Sequence, residues 1–513
     1  MNKLILSLSA LSAISGVCHA KTLRDKTKPN VIFIYADDLG KGMLSVYGQK
    51  HFTTPNIDKL FKQGTSFTHA YGCMLSAPAR ASMLTGYHDC QRDKWNINPG
   101  AQFVNLSEED AIAATEKKID ANDLLLPSND LYLARVFQEA GYKTAQVGKL
   151  EWGFTASRNQ MKAHGWDYFY GYLDHVRCHG YYPPYLFEND SIVRIEGNTR
   201  KDCGKSIENE TPQSYAERWN MTGKKVYSQD LFLGKILQFI RSHKDEPFFL
   251  YHPTQLPHGP VAIPEVDPEI ARNESLTPIE KEYASMVKML DNHVGIIMAE
   301  LKALGLEENT MIVFASDNGH EIYYSQKGRC EKPYKNLLKG SYFDDYTDKY
   351  YSEPAGDVFN GNAGMAGLKR SNLEGGVCIP FAFYWKNNLK SKQTDQVISS
   401  YDLLPTMADL LDVELETKKD GQSILSVLQK GKKLPTDRYV VFGSNLGPAI
   451  VMNDGWKLRY YRKEKVFELY NLKKDPRETT NVLEQNQKKA EQLKALLLKE
   501  CKGDLENGVN RVG

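Results

Sequence analysis

Short apolar runs that stop against charged residues, with helical patterns between them, constrain this chain more than any other feature. Val31 to Ala36 is β-rich and ends at Asp37-Asp38, and Met311 to Ala315 ends close to Asp317-Asn318-Gly319. Lys143 to Gly148 stops at Lys149, and Phe248 to Tyr251 is a fourth run of this kind. Helical patterns cover Pro55 to Gly64, Leu131 to Gly141 and Leu231 to Ile240. The clearest helix is predicted from Thr277-Pro278-Ile279-Glu280 to a stop at Gly305, with Thr as cap, Pro in the first turn and Glu reaching back. Strands alternating with helices predict an α/β fold, a central mixed and mostly parallel sheet covered by helices on both faces. Ligands of such sheets sit at the carboxyl ends of the strands, where both acidic pairs fall.

A chain of 513 residues has room for a large domain and a smaller one. The stretch from about 330 to 366 is rich in Tyr, Gly, Asp and Lys without periodicity and reads as a long surface loop. After residue 385 the pattern shifts to shorter strand-like pieces, Tyr439 to Phe442 and Trp456 to Tyr461, and closes on an amphipathic helix over Gln485 to Lys499. We therefore expect a catalytic domain over 21–384 and a small α+β subdomain over 385–513.

Residues 1–20 stand apart: Lys3, an apolar run from Leu4 to Val17, then Cys18-His19-Ala20. This reads as a secretory signal peptide cut near Ala20, giving a periplasmic or secreted protein. The run is shorter than the roughly 20 residues that span a bilayer, so no stable membrane insertion is expected. A lipid anchor on Cys18 fits poorly with the bulk of Val17. The net charge is +1 with no concentrated basic face, which argues against nucleic acid as a partner. Eight cysteines, seven of them beyond the leader, form no disulfide framework, although one or two bridges are possible.

The sharpest local signal is Ser76-Ala77-Pro78-Ala79-Arg80 running to Thr85-Gly86. Pro78 suits a first turn, so Ser76 is expected just before a short helix, with Arg80 one turn in and able to point back. Taken alone, Ser76 is as well explained as a helix cap. Asp37, Asp38, Asp317 and Asn318 offer hard oxygen donors that suit Ca²⁺ or Mg²⁺, and taken alone they are also ordinary turn residues. Lys149, His258 in Pro257-His258-Gly259-Pro260, His320 after Asp317-Asn318-Gly319, and Lys369 before Glu374-Gly375-Gly376 are individually unremarkable.

Together these motifs resemble the type I sulfatases of the alkaline phosphatase superfamily, whose signature reads Cys or Ser, any residue, Pro, any residue, Arg, then Thr-Gly. The likeness extends from about residue 31 to the stretch Phe467 to Glu478. It implies an alkaline-phosphatase-like large domain with a small C-terminal α+β domain, and hydrolysis of sulfate esters, with exo action on sulfated glycans expected. It also implies that Ser76 is converted to 3-oxoalanine (formylglycine) by a maturase of the serine-handling type. Asp37, Asp38, Asp317, Asn318 and residue 76 would hold Ca²⁺, or Mg²⁺. By the same resemblance Lys149 and Lys369 grip sulfate oxygens, His258 with Lys369 protonates the leaving oxygen, and Arg80 and His320 complete the catalytic set.

One departure stands out. The family commonly reads Gly-Lys-Trp-His-Leu-Gly where this chain reads Gly148-Lys149-Leu150-Glu151-Trp152-Gly153. Glu151, His320 or Asp317 is left to accept the nucleophile's proton, and Glu151 also joins the substrate-binding candidates. The other substrate candidates are His175, Arg177 and His179 in a loop dense in His and Tyr, which is equally well read as ordinary surface. Two rivals remain: a two-metal phosphatase or phosphodiesterase using unmodified Ser76, and an inactive sugar-binding protein.

Overall fold

The computed structural model describes residues 28–90, 106–107, 109–110, 113–114, 130–151, 158–175, 177–199, 219–326, 328–330 and 349–509. The expected leader over 1–20, Trp152-Gly153 and the first part of the expected long loop lie outside these residues.

A large sheet carries strands in the order β10 (Lys392–Ser399), β2 (Thr65–Tyr71), β9 (Phe381–Trp385), β8 (Thr310–Ser316) and β1 (Asn30–Ala36). It continues through β7 (Phe248–Pro253), β3 (Lys143–Gly148), β4 (Tyr168–Gly171), β5 (Tyr185–Glu188) and β6 (Ser191–Arg194). β8, β1, β7, β3 and β4 are mutually parallel, and β9, β5 and β6 run against their neighbours. Every residue of β1, β7 and β8 is buried, as a parallel sheet covered on both faces requires. The register pairs Ala36 with Ser316, so the residues that follow, Asp37-Asp38 and Asp317-Asn318, leave the sheet side by side. Gly148 ends β3 with φ 136, and a Cβ there would stand 2.4 Å from the Pro253 carbonyl. Only glycine lets the chain turn so closely past β7, where the Lys149 amide donates to that carbonyl at 2.7 Å.

The predicted long helix spans Pro278–Ala303, and Thr277 and Glu280 close a capping box at its start, a device worth about 1 kcal/mol. It packs on helix α1 (Pro55–Gln63), whose Ile57 amide donates to Asp291 Oδ1 at 2.8 Å. Among the described residues, no helix is long and apolar enough to cross a membrane.

The second sheet is antiparallel: β11 (Tyr439–Phe442), β12 (Ala449–Met452), β13 (Trp456–Tyr461) and β14 (Val466–Asn471). The closing helix Gln487–Glu500 buries Ala490, Leu493 and Leu497 against Ile450, Leu458 and Leu469. The shift in pattern at residue 385 precedes this sheet, because β10 still pairs in parallel with β2 at the edge of the large one.

Residues 349–366 are only partly at the surface. Tyr350, Ser352, Asp357, Phe359 and Asn362 are buried, and Asp357 accepts from the amides of Phe359 and Gly361 at 3.0 and 2.8 Å. A segment that satisfies its own backbone with buried polar side chains can pack inward without regular structure. Cys73, Cys90, Cys178, Cys378 and Cys501 are buried, unbridged thiols.

Candidate active site

Helix α2 (Ser76–Thr85) delivers the first part of the site. Leu75 is its N-cap and Ser76 its first residue, one position further in than expected, and Gly86 ends it with φ 77. Ser76 is buried at 3% exposure, and its Oγ donates to Asp37 Oδ1 at 2.7 Å, so it does not cap its own helix. Arg80, fully buried, reaches Asp317 Oδ2 at 3.3 Å and Asp37 Oδ2 at 3.7 Å while its guanidinium lies over the Tyr35 ring. One turn of helix thus sets a hydroxyl and a guanidinium on the same carboxylates.

The carboxylates interlock. Asp38 adopts φ 62, and its amide donates to Asp317 Oδ1 at 3.0 Å. Such backbone strain in a non-glycine residue survives where neighbouring contacts enforce it. Asn318 Nδ2 donates to Asp38 Oδ1 at 2.7 Å, whereas buried Asn318 Oδ1 has no hydrogen-bond partner. Lys149 Nζ lies on Asp37 Oδ2, and Lys369 Nζ is 2.6 Å from Asp38 Oδ2. Burial alone would raise the pKa of Asp37 and Asp38. Lys149 and Arg80 at the first, and Lys369 and His258 at the second, outweigh it and hold both well below the usual carboxylate range. Asp317 goes the other way, pushed up to about 7 by burial and by the charge of Asp37.

This set fits a hard divalent cation. Three carboxylates meet in a buried interior beside the Asn318 amide, whose oxygen lacks a donor, and these groups are of the kind that bind Ca²⁺ or Mg²⁺. Asp37, Asp38 and His258 also present ligand atoms within 4.8 Å of one another.

His258 follows β7. Its Nδ1 lies 2.5 Å from the Gly259 carbonyl, which assigns the proton to Nδ1, and its Nε2 faces Lys369 Nζ at 3.3 Å and Asp38 Oδ2 at 3.3 Å. Tyr323, which the sequence did not single out, stands over this group. Its hydroxyl donates to Asp38 Oδ2 and lies 3.3 Å from Lys369 Nζ. A Cβ on Gly259 would come within 2.1 Å of the Tyr323 ring, so this glycine makes room for it. No spacing rule marks Tyr323. The only available hint was its position three residues after His320.

His175, Arg177 and His179 are not on an ordinary surface loop. All three are buried, and Arg177–His179 forms a 3₁₀ turn that puts His179 Nε2 3.4 Å from Lys149 Nζ. Two other candidates are held elsewhere. His320 Nε2 pairs with the Tyr324 hydroxyl at 2.8 Å, and that hydroxyl donates to Asp357 at 2.7 Å. Burial lowers the His320 pKa. Glu151 is fully buried: Oε1 is taken by Tyr132 and His164, and Oε2 accepts from Trp166 Nε1 at 2.7 Å. Its acceptors are used up by the scaffold, so the structure brings Glu151 to neither Ser76 nor a substrate-facing position.

The family model "Sulfatase" matches residues 29–413, and that described as "N-sulphoglucosamine sulphohydrolase, C-terminal" matches 367–503. The N-acetylgalactosamine-6-O-sulfatase of Bacteroides thetaiotaomicron is 27% identical over 562 residues, covering 97% of this chain and 98% of the relative. A sulfatase of Formosa agariphila is 28% identical over 519 residues, covering 90% and 85%. A solved structure from work on glycosaminoglycan metabolism by Bacteroides thetaiotaomicron has a TM-score of 0.68 at 24% identity, covering 93% of this chain and 100% of that one. Another, in complex with D-glucosamine-2-N,6-O-disulfate, has a TM-score of 0.60 at 18% identity, covering 94% and 100%. These structural likenesses carry the fold.

Proposed function

Because the chain belongs to the sulfatase family and hydrolyses sulfate esters, we propose that its substrate is a sulfated sugar, cleaved in exo fashion at residue 76 oxidised to formylglycine. The observation that carries this reading is Ser76 Oγ on Asp37, inside a ring of Lys149, Lys369 and Arg80. Relatives named as N-acetylgalactosamine-6-sulfatases support the sugar.

In this reading Asp37, Asp38, Asp317, Asn318 and residue 76 hold Ca²⁺ or Mg²⁺, which supplies polarisation of a sulfate oxygen. Formylglycine supplies a hydrated aldehyde whose hydroxyl is the nucleophile. The chain's own residues do the rest. Arg80 keeps Asp37 ionised and holds Asp37 and Asp317 in place. Lys149 and Lys369 offer ammonium protons where negative charge gathers on the sulfate oxygens. The S–O bond to the sugar breaks as His258, protonated on both nitrogens beside Asp38, passes its Nε2 proton to the departing oxygen with Lys369 alongside. The Gly259 carbonyl fixes the His258 tautomer and leaves Nε2 as the working nitrogen. His175 and Arg177, buried in the segment that leads to His179, shape the sugar side. His320 supports the floor through Tyr324 and Asp357 rather than acting on the nucleophile.

The protein is exported to the periplasm or secreted after cleavage near Ala20, and a maturase modifies Ser76 on the way. The domain division near residue 385 belongs to the same proposal. The test is sulfate release from a panel of defined sulfated monosaccharides by enzyme co-produced with a serine-type maturase. One sugar turned over far above 4-nitrophenyl sulfate is the expected result. Turnover of the aryl ester alone would remove the sugar from the reading.

A further inference from the structure

His179 is 4% exposed and has little surface left for a substrate. The His175 ring meets its ring at 5.2 Å and 90°, and the His258 ring stacks on it at 4.1 Å and 10°. Its Nε2 lies 3.4 Å from Lys149 Nζ. An ammonium has only donors, so Nε2 is the acceptor and His179 is neutral with its proton on Nδ1. One imidazole therefore touches the cation on the sulfate side and the imidazole on the leaving-group side.

The turn that carries it is tied to the same loop. Gln255 Nε2, three residues before His258, donates to the carbonyls of Cys178 and Gly180, and the Tyr181 hydroxyl donates to the His258 carbonyl at 2.7 Å. The Arg177 amide donates to Asp174 Oδ1 at 3.2 Å. Glu151, two residues after Lys149, is turned into the scaffold, with its carboxylate on Tyr132, His164 and Trp166 rather than on Lys149. The imidazole beside Lys149 comes instead from a turn some thirty residues along the chain.

We propose that His179 is a positioning residue that sets Lys149 and His258 at once, holding the ammonium on the sulfate side and the plane of the proton-donating ring. This rests on the reaction proposed above and changes the part of His179 from sugar contact to alignment. Misplacement of a reacting group by about 1 Å can cost about 10²-fold.

The test compares His179→Ala and His179→Gln on 4-nitrophenyl sulfate and on the preferred sulfated sugar. The aryl ester has no sugar to contact and needs no proton on its leaving group. Through Lys149, His179→Ala is expected to lower kcat on it by about 10-fold or more with little change in KM. The sugar ester, which also needs His258, should lose more. His179→Gln keeps an acceptor for Lys149 but no ring to stack. It should return most of the aryl turnover and leave the sugar deficit. An aryl kcat within about two-fold of the unsubstituted enzyme, with a raised KM for the sugar, would make His179 a sugar contact and overturn the proposal. Equal losses on both substrates, a lowered melting temperature and no recovery in His179→Gln would reduce it to a structural residue. No turnover of either ester by the unsubstituted enzyme would overturn the underlying reaction instead, and this inference with it.

Discussion

Two buried clusters of carboxylate charge lie close together in this molecule, and they are built on opposite principles. Around Glu151 the donors are neutral or shared side chains, Tyr132, His164 and Trp166, and both carboxylate oxygens are satisfied. Around Asp37, Asp38 and Asp317 the partners are Lys149, Lys369 and Arg80, like charges press on one another, and Asn318 Oδ1 stays without a donor. Burial is equal in the two, at 0% exposure for Glu151, Asp37, Asp38 and Asp317. What separates a site from a scaffold is therefore not burial. It is the crowding of several charges of both signs and a buried amide oxygen left without a donor.

The sharpest break of this comparison is at residue 76. Ser76→Ala should lower turnover by about 10⁴-fold or more while leaving the melting temperature near that of the parent. Mass analysis of active protein should show residue 76 lighter by two hydrogens, or its hydrate. Active protein carrying plain serine would return the unmodified-serine phosphatase to the field.

Next comes the cation. Chelation should abolish activity and lower the melting temperature, and Ca²⁺ or Mg²⁺ should restore both. At a concentration of about 100 times its dissociation constant, a bound ion stabilises the fold by about 2.7 kcal/mol. Asp317→Asn should remove this response to the ion. Calorimetry showing the same stabilisation in parent and variant, or stoichiometric zinc by elemental analysis, would sink the assignment.

His258→Ala separates the leaving group from the sulfate grip. General acid help is worth about 10²–10⁴-fold on a poor leaving group. The sugar ester should therefore lose in that range and the nitrophenyl ester much less. Equal losses on both would place His258 on the sulfate or on residue 76.

The smallest effect on catalysis is expected at the other cluster. Glu151→Ala strands buried donors and should destabilise the protein by about 3 kcal/mol. The kcat/KM of folded enzyme should stay within about three-fold, because the residue contacts no reacting group. A loss of kcat without a loss of stability would return Glu151 to the reaction.

Much of the fold was legible in short segments. The capping box at Thr277, the all-buried strands and the carboxylates at their ends depend on local spacing and on apolar runs, which survive translation into structure with few alternatives. The Ser76 motif and the acidic pairs could be read as one site because parallel strands end on the same side of a sheet. The burial within 349–366 escaped the sequence because its polar contacts, Asp357 with its own turn and with the Tyr324 hydroxyl, leave no periodic trace. Glu151 and His179 show the same limit more acutely. The sequence determined that an acidic residue stands where a histidine is common, and that three polar residues crowd a later loop. Only the tertiary structure decided that Glu151 faces Tyr132 and Trp166 while His179 faces Lys149. A side chain's partners are chosen by which elements pack together, and residues distant along the chain meet through contacts that no local pattern encodes.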